Sequence, residues 1–205
     1  MKRMTTLLAC AALAAGTALV PATAMAQDAE QYVPIFSYRT GPYAPNGIPV
    51  ADGTVDYLKL VNAKGGINGV KFKIEECEFA YDTAKGIECY ERMKNKNGGA
   101  AIVQPISTGV TTALLKKAPE DRISVIMGGY GPPEAADGEV FKWIFPVIPT
   151  YFVAADVMVQ AIGEREGGLE NLKGKKIDYV YMDAPFGHQF MPVFDHYAEK
   201  YGFKL

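Results

Sequence analysis

Along the chain, apolar and polar positions switch repeatedly between the strand period and the helix period. Residues 32–38, "YVPIFSY", are apolar and aromatic with one proline near the start, and read as strand-like. "TGPYAPNG" follows, a loop by its glycines and prolines. In "IPVADGTVDYLKLVNAKGG" the residues Val50, Thr54, Val55, Leu58 and Val61 fall on one helical face, and Gly65-Gly66 stops it. Val70, Phe72 and Ile74 then alternate with polar residues, which predicts a strand over 70–79. "YDTAKGIECYERMKNKNGG" predicts a helix with Asp82 or Thr83 as N-cap and Gly98 as terminator. A strand over 100–105, a short helix in "TGVTTALLKKAPE" and a strand over 123–129 complete the series. The order β-α-β-α-β-α-β predicts an α/β fold, a mostly parallel sheet covered by helices on both faces. Ligands of such sheets bind beyond the carboxyl ends of the strands. The loops that begin at Ser37, Phe79, Gln104 and Gly128 therefore share one rim.

"GEVFKWIFPVIPT", residues 138–150, breaks the rhythm with two prolines and no helical face, and reads as an extended crossover. A second alternation begins after it. It comprises a helix over 151–166, a strand over 175–183, a loop "APFGHQF", a helix in "MPVFDHYAEKYG" and the start of a strand at "FKL". Residues 27–145 are thus expected to form one α/β lobe, and 146–205 the opening of a second, incomplete lobe. Two βα units cannot close a useful sheet, so the chain reads as part of a longer protein.

The first 26 residues change the picture of where the protein works. Lys2 and Arg3 precede a long apolar stretch and the small-x-small site Ala24-Met25-Ala26, the order of a cleavable signal peptide over residues 1–26. The whole chain carries a formal charge of −2, and removal of that basic leader makes it more acidic. No electrostatic footprint for nucleic acid or anionic lipid results. Two cysteines remain beyond the leader, Cys77 and Cys89. In an oxidising compartment an even pair favours a disulfide over two buried thiols.

Candidate chemistry is concentrated in loops at strand ends. In "QPISTGVTTAL" Ser107, Thr108 and Gly109 stand between a strand and a helix. They serve either as a helix cap or as an anion site, and taken alone the cap is the commoner use. "MGGYGPPEAADG" sets Tyr130 between Gly129 and Gly131, in a loop whose prolines do not fit a dinucleotide fingerprint. Tyr43 and Asn46 follow the first strand, and Phe186 lies in the loop of the second unit. Catalytic groupings are weak. His188 and His196 are the only histidines, no G-x-S-x-G elbow occurs, and Glu75 and Glu76 occupy successive strand positions that face opposite sides. An enzyme is not expected.

Assembled, "TGPYAPNGIPVADGTVDYLKLVNAKGGINGVKFKIEECEFAYD", above all "NAKGGINGVK", with the helix "YDTAKGIECYERM", resembles periplasmic substrate-binding proteins of ABC importers of the branched-chain amino acid (Leu/Ile/Val) type. The resemblance covers residues 32–205, and such proteins are roughly twice as long. It implies a two-lobed type I periplasmic binding protein with parallel sheets, a ligand held between the lobes and no cofactor or metal. It implies a monomer in the periplasm that binds a small carboxylate-bearing ligand, a branched-chain or other amino acid, and serves an inner-membrane ABC permease. Carried over by position, Ile106, Ser107, Thr108 and Gly109 would grip the carboxylate. Gly129, Tyr130 and Gly131 would meet the polar head, Phe186 would be an aromatic lid, and Tyr43 to Asn46 would contribute from the first loop. The acidic residue that usually meets an amine would lie beyond Leu205. Two departures stand out: "GGYG" replaces a small-small-Thr run, and phenylalanine replaces the tyrosine common at the lid. They make an aromatic acid a competing ligand. A ligand-sensing domain and an exported hydrolase are the alternative functions.

Overall fold

The computed structural model describes residues 30–205, and the signal peptide read at 1–26 lies outside them. Five strands run in parallel: β1 (Glu30–Ser37), β2 (Lys71–Glu78), β3 (Ile102–Val103), β4 (Ser124–Met127) and β5 (Ile144–Pro146). A single parallel bridge between Ile35 and Gln104 joins the β1–β2 pair to the β3–β4–β5 group, so the order in space is β2-β1-β3-β4-β5. β1 is an interior strand, and its residues from Tyr32 to Ser37 are all buried, as suits a mainly apolar strand with neighbours on both sides. The helices of this first unit are α1 (Ala44–Ala63), α2 (Thr83–Met93), α3 (Thr108–Leu114) and α4 (Lys117–Asp121). The second unit holds α5 (Tyr151–Arg165), α6 (Pro185–His188) and α7 (Met191–Tyr201).

Two separate apolar cores correspond to these two units. The first gathers Phe36, Phe79, Tyr90, Met93, Leu114 and Met127 between the sheet and α2–α4. The second gathers Val159, Leu172, Phe190, Phe194 and Phe203. Tyr151 packs against both. The α2–α3 contact depends on Gly86, where a Cβ would sit 2.4 Å from Val110 Cγ2. Cys77 in β2 and Cys89 in α2 are joined by a disulfide with Cα atoms 5.9 Å apart, which ties helix to strand. Glu75 and Glu76 point to opposite sides of β2, one pairing with Lys96 and the other with Arg39.

The helix ends follow the capping chemistry. The Asp82 carboxylate accepts from the Lys85 amide at 2.9 Å, and Ser107 Oγ accepts from the Val110 amide at 3.3 Å. α1 starts earlier than its periodicity suggests, because the Tyr43 carbonyl already accepts from the amides of Asn46 and Gly47. On its predicted face Thr54, Val55, Leu58 and Val61 are half-buried, while Val50 is exposed. "TGVTTALLKKAPE" forms two helices rather than one, since Pro119 cannot donate a hydrogen bond to the preceding turn. The crossover at 138–150 contains a strand that was not expected, β5, which adds to the sheet edge and ends on Pro146, where a proline is tolerated. Residues 175–183 do not form the expected strand. They make one parallel bridge, Lys176 to Lys204, and Val180 is 92% exposed. Without a neighbour along that edge among the described residues, the ladder does not propagate.

Candidate functional site

The rim predicted at the strand ends opens into a cleft of about 460 Å³, on which both units border. It lies beyond the ends of β1 and β3, where the strand order reverses, the place where open α/β sheets bind ligands.

The β1 exit supplies Tyr38 and Tyr43. Tyr38 lies flat on α1 because position 47 is glycine: a Cβ there would fall 2.0 Å from the Tyr38 carbonyl and 2.3 Å from its ring. The β2 exit supplies Tyr81, which has a left-handed backbone (φ 59°), as does Ala80 before it (φ 51°). Such conformations persist in non-glycine residues only where surroundings hold them. Glu78 does this here. Its Oε1 accepts from the Ala80 amide (2.9 Å), the Thr40 amide (3.2 Å) and the Thr40 hydroxyl (3.0 Å), pinning two rim loops together. Those contacts also hold its carboxyl below the usual range, against an opposing effect of burial. The three rings pack on one another. Tyr38 and Tyr81 are edge-on at 4.9 Å, and Tyr43 and Tyr81 are tilted at 4.4 Å. Burial, reinforced by the neighbouring tyrosines, raises the Tyr81 phenol.

The β3 exit supplies Gln104, Ile106, Ser107 and Thr108. Ile106 is a β-branched residue at φ 52°, a conformation that costs about 1–3 kcal/mol and turns the chain sharply into α3. Ser107 is buried, and its hydroxyl is engaged as the cap of α3. Thr108 Oγ1 lies 2.9 Å from the hydroxyl of Tyr151, so the start of α3 meets the start of α5. Burial raises the Tyr151 phenol, and the Thr108 contact opposes it.

The β4 exit supplies Gly128, Gly129 and Tyr130. Tyr130 lines the cleft, but its hydroxyl is tied 2.7 Å from Thr111 Oγ1. Burial pushes its phenol up to about 12, opposed by the Thr111 hydroxyl and the Ser107 backbone. From the second unit, Phe186 in α6 and Met182 close the other side.

Eight of the ten residues predicted for the site therefore border one cavity: Tyr43, Asn46, Ile106, Ser107, Thr108, Gly129, Tyr130 and Phe186. Gly109 and Gly131 do not. Gly109 gives room to Thr83 Oγ1 and to Pro185 of α6, whose Cγ would lie 3.4 Å from a Cβ there. The Gly131 carbonyl accepts from the Tyr151 amide at 2.8 Å, seating the start of α5 on the loop that leaves β4. Sequence reasoning missed Tyr38, Val50, Tyr81, Gln104, Gly128, Tyr151 and Met182. Tyr81 and Gln104 were within reach, since both sit in loops already assigned to the rim. Tyr151 was not, since a helix start across a proline-rich crossover has no local signal of where it folds back. His188 pairs with Asp183 at 2.8 Å on exposed surface and does not line the cleft.

Comparison with known proteins adds the family. Residues 30–205 match the family model described as periplasmic binding protein. No curated protein matches the chain by sequence. Among solved structures, a protein from the Pseudomonas fluorescens group described as an ABC transporter permease is 44% identical, with a TM-score of 0.70 over 85% of this chain and 43% of that one. A fatty acid ABC transporter substrate-binding protein from Thermomonospora curvata is 21% identical, with a TM-score of 0.73 over 86% of this chain and 43% of that one. A branched chain amino acid ABC transporter protein from Thermus thermophilus with bound valine is 22% identical, with a TM-score of 0.72 over 86% and 45%. The chain spans less than half the length of these structures. The two more distant ones share its α/β fold, with parallel sheets flanked by helices.

Proposed function

The chain belongs to the periplasmic binding protein family, and on that premise we propose that it is the solute-binding component of an ABC importer, working in the periplasm. It captures a small carboxylate-bearing solute, with branched-chain and other amino acids as candidates, and delivers it to an inner-membrane permease. Residues 27–145 form its first lobe and 146–205 the opening of the second. The observation that carries this reading is the cleft to which both units contribute, ring-lined and with Thr108 at its floor. Valine and fatty acids, named with two structures of the same fold, both carry a carboxylate, which supports the choice of anchoring group.

Binding draws on the Thr108–Tyr151 contact. A carboxylate inserted between the Thr108 and Tyr151 hydroxyls accepts from both, and a hydrogen bond to a charged acceptor is the stronger kind. Because the other partner belongs to α5, the ligand then favours the state in which both units touch it, which is closure by population shift. Thermal melting of the full-length protein against leucine, valine, phenylalanine and hydroxylated aromatic acids tests the reading. A rise in Tm with one solute, which is recovered unchanged, is the expected result. Steady conversion of that solute to product would replace a binder with an enzyme.

A further inference from the structure

Resting on that carboxylate reading, we infer that the solute's body is an aromatic ring bearing a hydroxyl, not an aliphatic chain. The lining itself supports this. Six rings border the cleft, Tyr38, Tyr43, Tyr81, Tyr130, Tyr151 and Phe186, against three aliphatic side chains, Val50, Ile106 and Met182. The rings of the first unit are not loose. Tyr38 is wedged on Gly47, Tyr81 is held by a left-handed turn, and both touch one another in tilted or edge-on geometry at 4–6 Å, with Tyr43 on Tyr81. A flat ring extends such an array with the same centroid spacing, whereas a branched aliphatic group fills it poorly.

The hydroxyls point the same way. Tyr130 and Tyr151 already spend theirs on Thr111 and Thr108. Those of Tyr38, Tyr43 and Tyr81 have no side-chain partner among the described residues. Closing the cleft over a purely aliphatic body would strip water from these phenols and give nothing back, which is costly. A hydroxyl on the solute's ring pairs with them. The side-chain amide of Gln104, lying over Gly128, adds a further neutral donor and acceptor. Every polar group lining the cleft is uncharged, which fits a phenolic ring.

Titration calorimetry of the full-length protein with 4-hydroxybenzoate and L-tyrosine against cyclohexanecarboxylate and L-leucine tests this. At least one phenolic member should bind ten-fold or more tightly than both saturated ones. Tyr43→Leu should weaken that phenolic ligand at least ten-fold, because it removes a ring and a hydroxyl from the rim; since Tyr43 also packs against the first core, an unchanged melting temperature of the solute-free variant shows that the loss is one of binding and not of fold. If a saturated carboxylate binds as tightly as the phenolic ones, this inference falls and the carboxylate reading stands. If none of the four binds, both fall.

Discussion

At the residue scale the proposed carboxylate anchor is Thr108. Its hydroxyl is buried, engaged by Tyr151 and next to the cap of α3. Thr108→Ala should weaken a carboxylate ligand by about 1.5–3 kcal/mol, the range for a hydrogen bond to a charged group. Calorimetry reads this directly, and unchanged affinity would remove Thr108 from the site. Tyr130 offers a second test. Its phenol is pushed up to about 12 by burial, and so is that of Tyr32, by burial and by the Glu75 carboxylate. A group that holds its proton more tightly when folded stabilises the fold fully below its unfolded pKa, near 10. Stability from these phenols is therefore steady up to about pH 10 and is lost between about 10 and 12. Urea unfolding across that window should show the fall, and Tyr130→Phe should reduce its slope.

At the element scale, what holds α2 to the sheet decides whether the rim keeps its shape. The Cys77–Cys89 bond closes a loop with a sequence separation of 12. Replacing both cysteines by alanine should cost about 2–3 kcal/mol on the chain-entropy account, read as a lower midpoint in urea under non-reducing conditions. Gly86→Val should be damaging for another reason, since even its first carbon would collide with Val110. Overpacking of this kind costs about 1–3 kcal/mol. These elements were largely legible in the chain. The buried run of β1, the Asp82 cap and the Ser107 cap all follow from local pattern. Others depend on neighbours. β5 exists because β4 offers it an edge, and 175–183 lacks a ladder because Lys204 offers it only one bridge. No periodicity within either segment encodes that.

At the scale of the whole molecule, the cleft belongs to neither unit alone. The sequence put eight of its residues on a common rim through strand-end logic and resemblance. It left out Tyr38, which depends on the absence of a side chain at Gly47, and Tyr151, whose backbone N–H donates a hydrogen bond to the Gly131 carbonyl. Gly109 marks where the units meet, with Pro185 of α6 close by. In the proposed function a carboxylate-bearing solute sits in this cleft and draws the units together. The most direct measurement is the ligand density in a crystal structure of the full-length protein with its tightest-binding solute. The expected result is a carboxylate oxygen within hydrogen-bond distance of Thr108 Oγ1 and an organic body between Tyr43 and Phe186. A solute bound elsewhere, or one whose carboxylate faces away from Thr108, would contradict it.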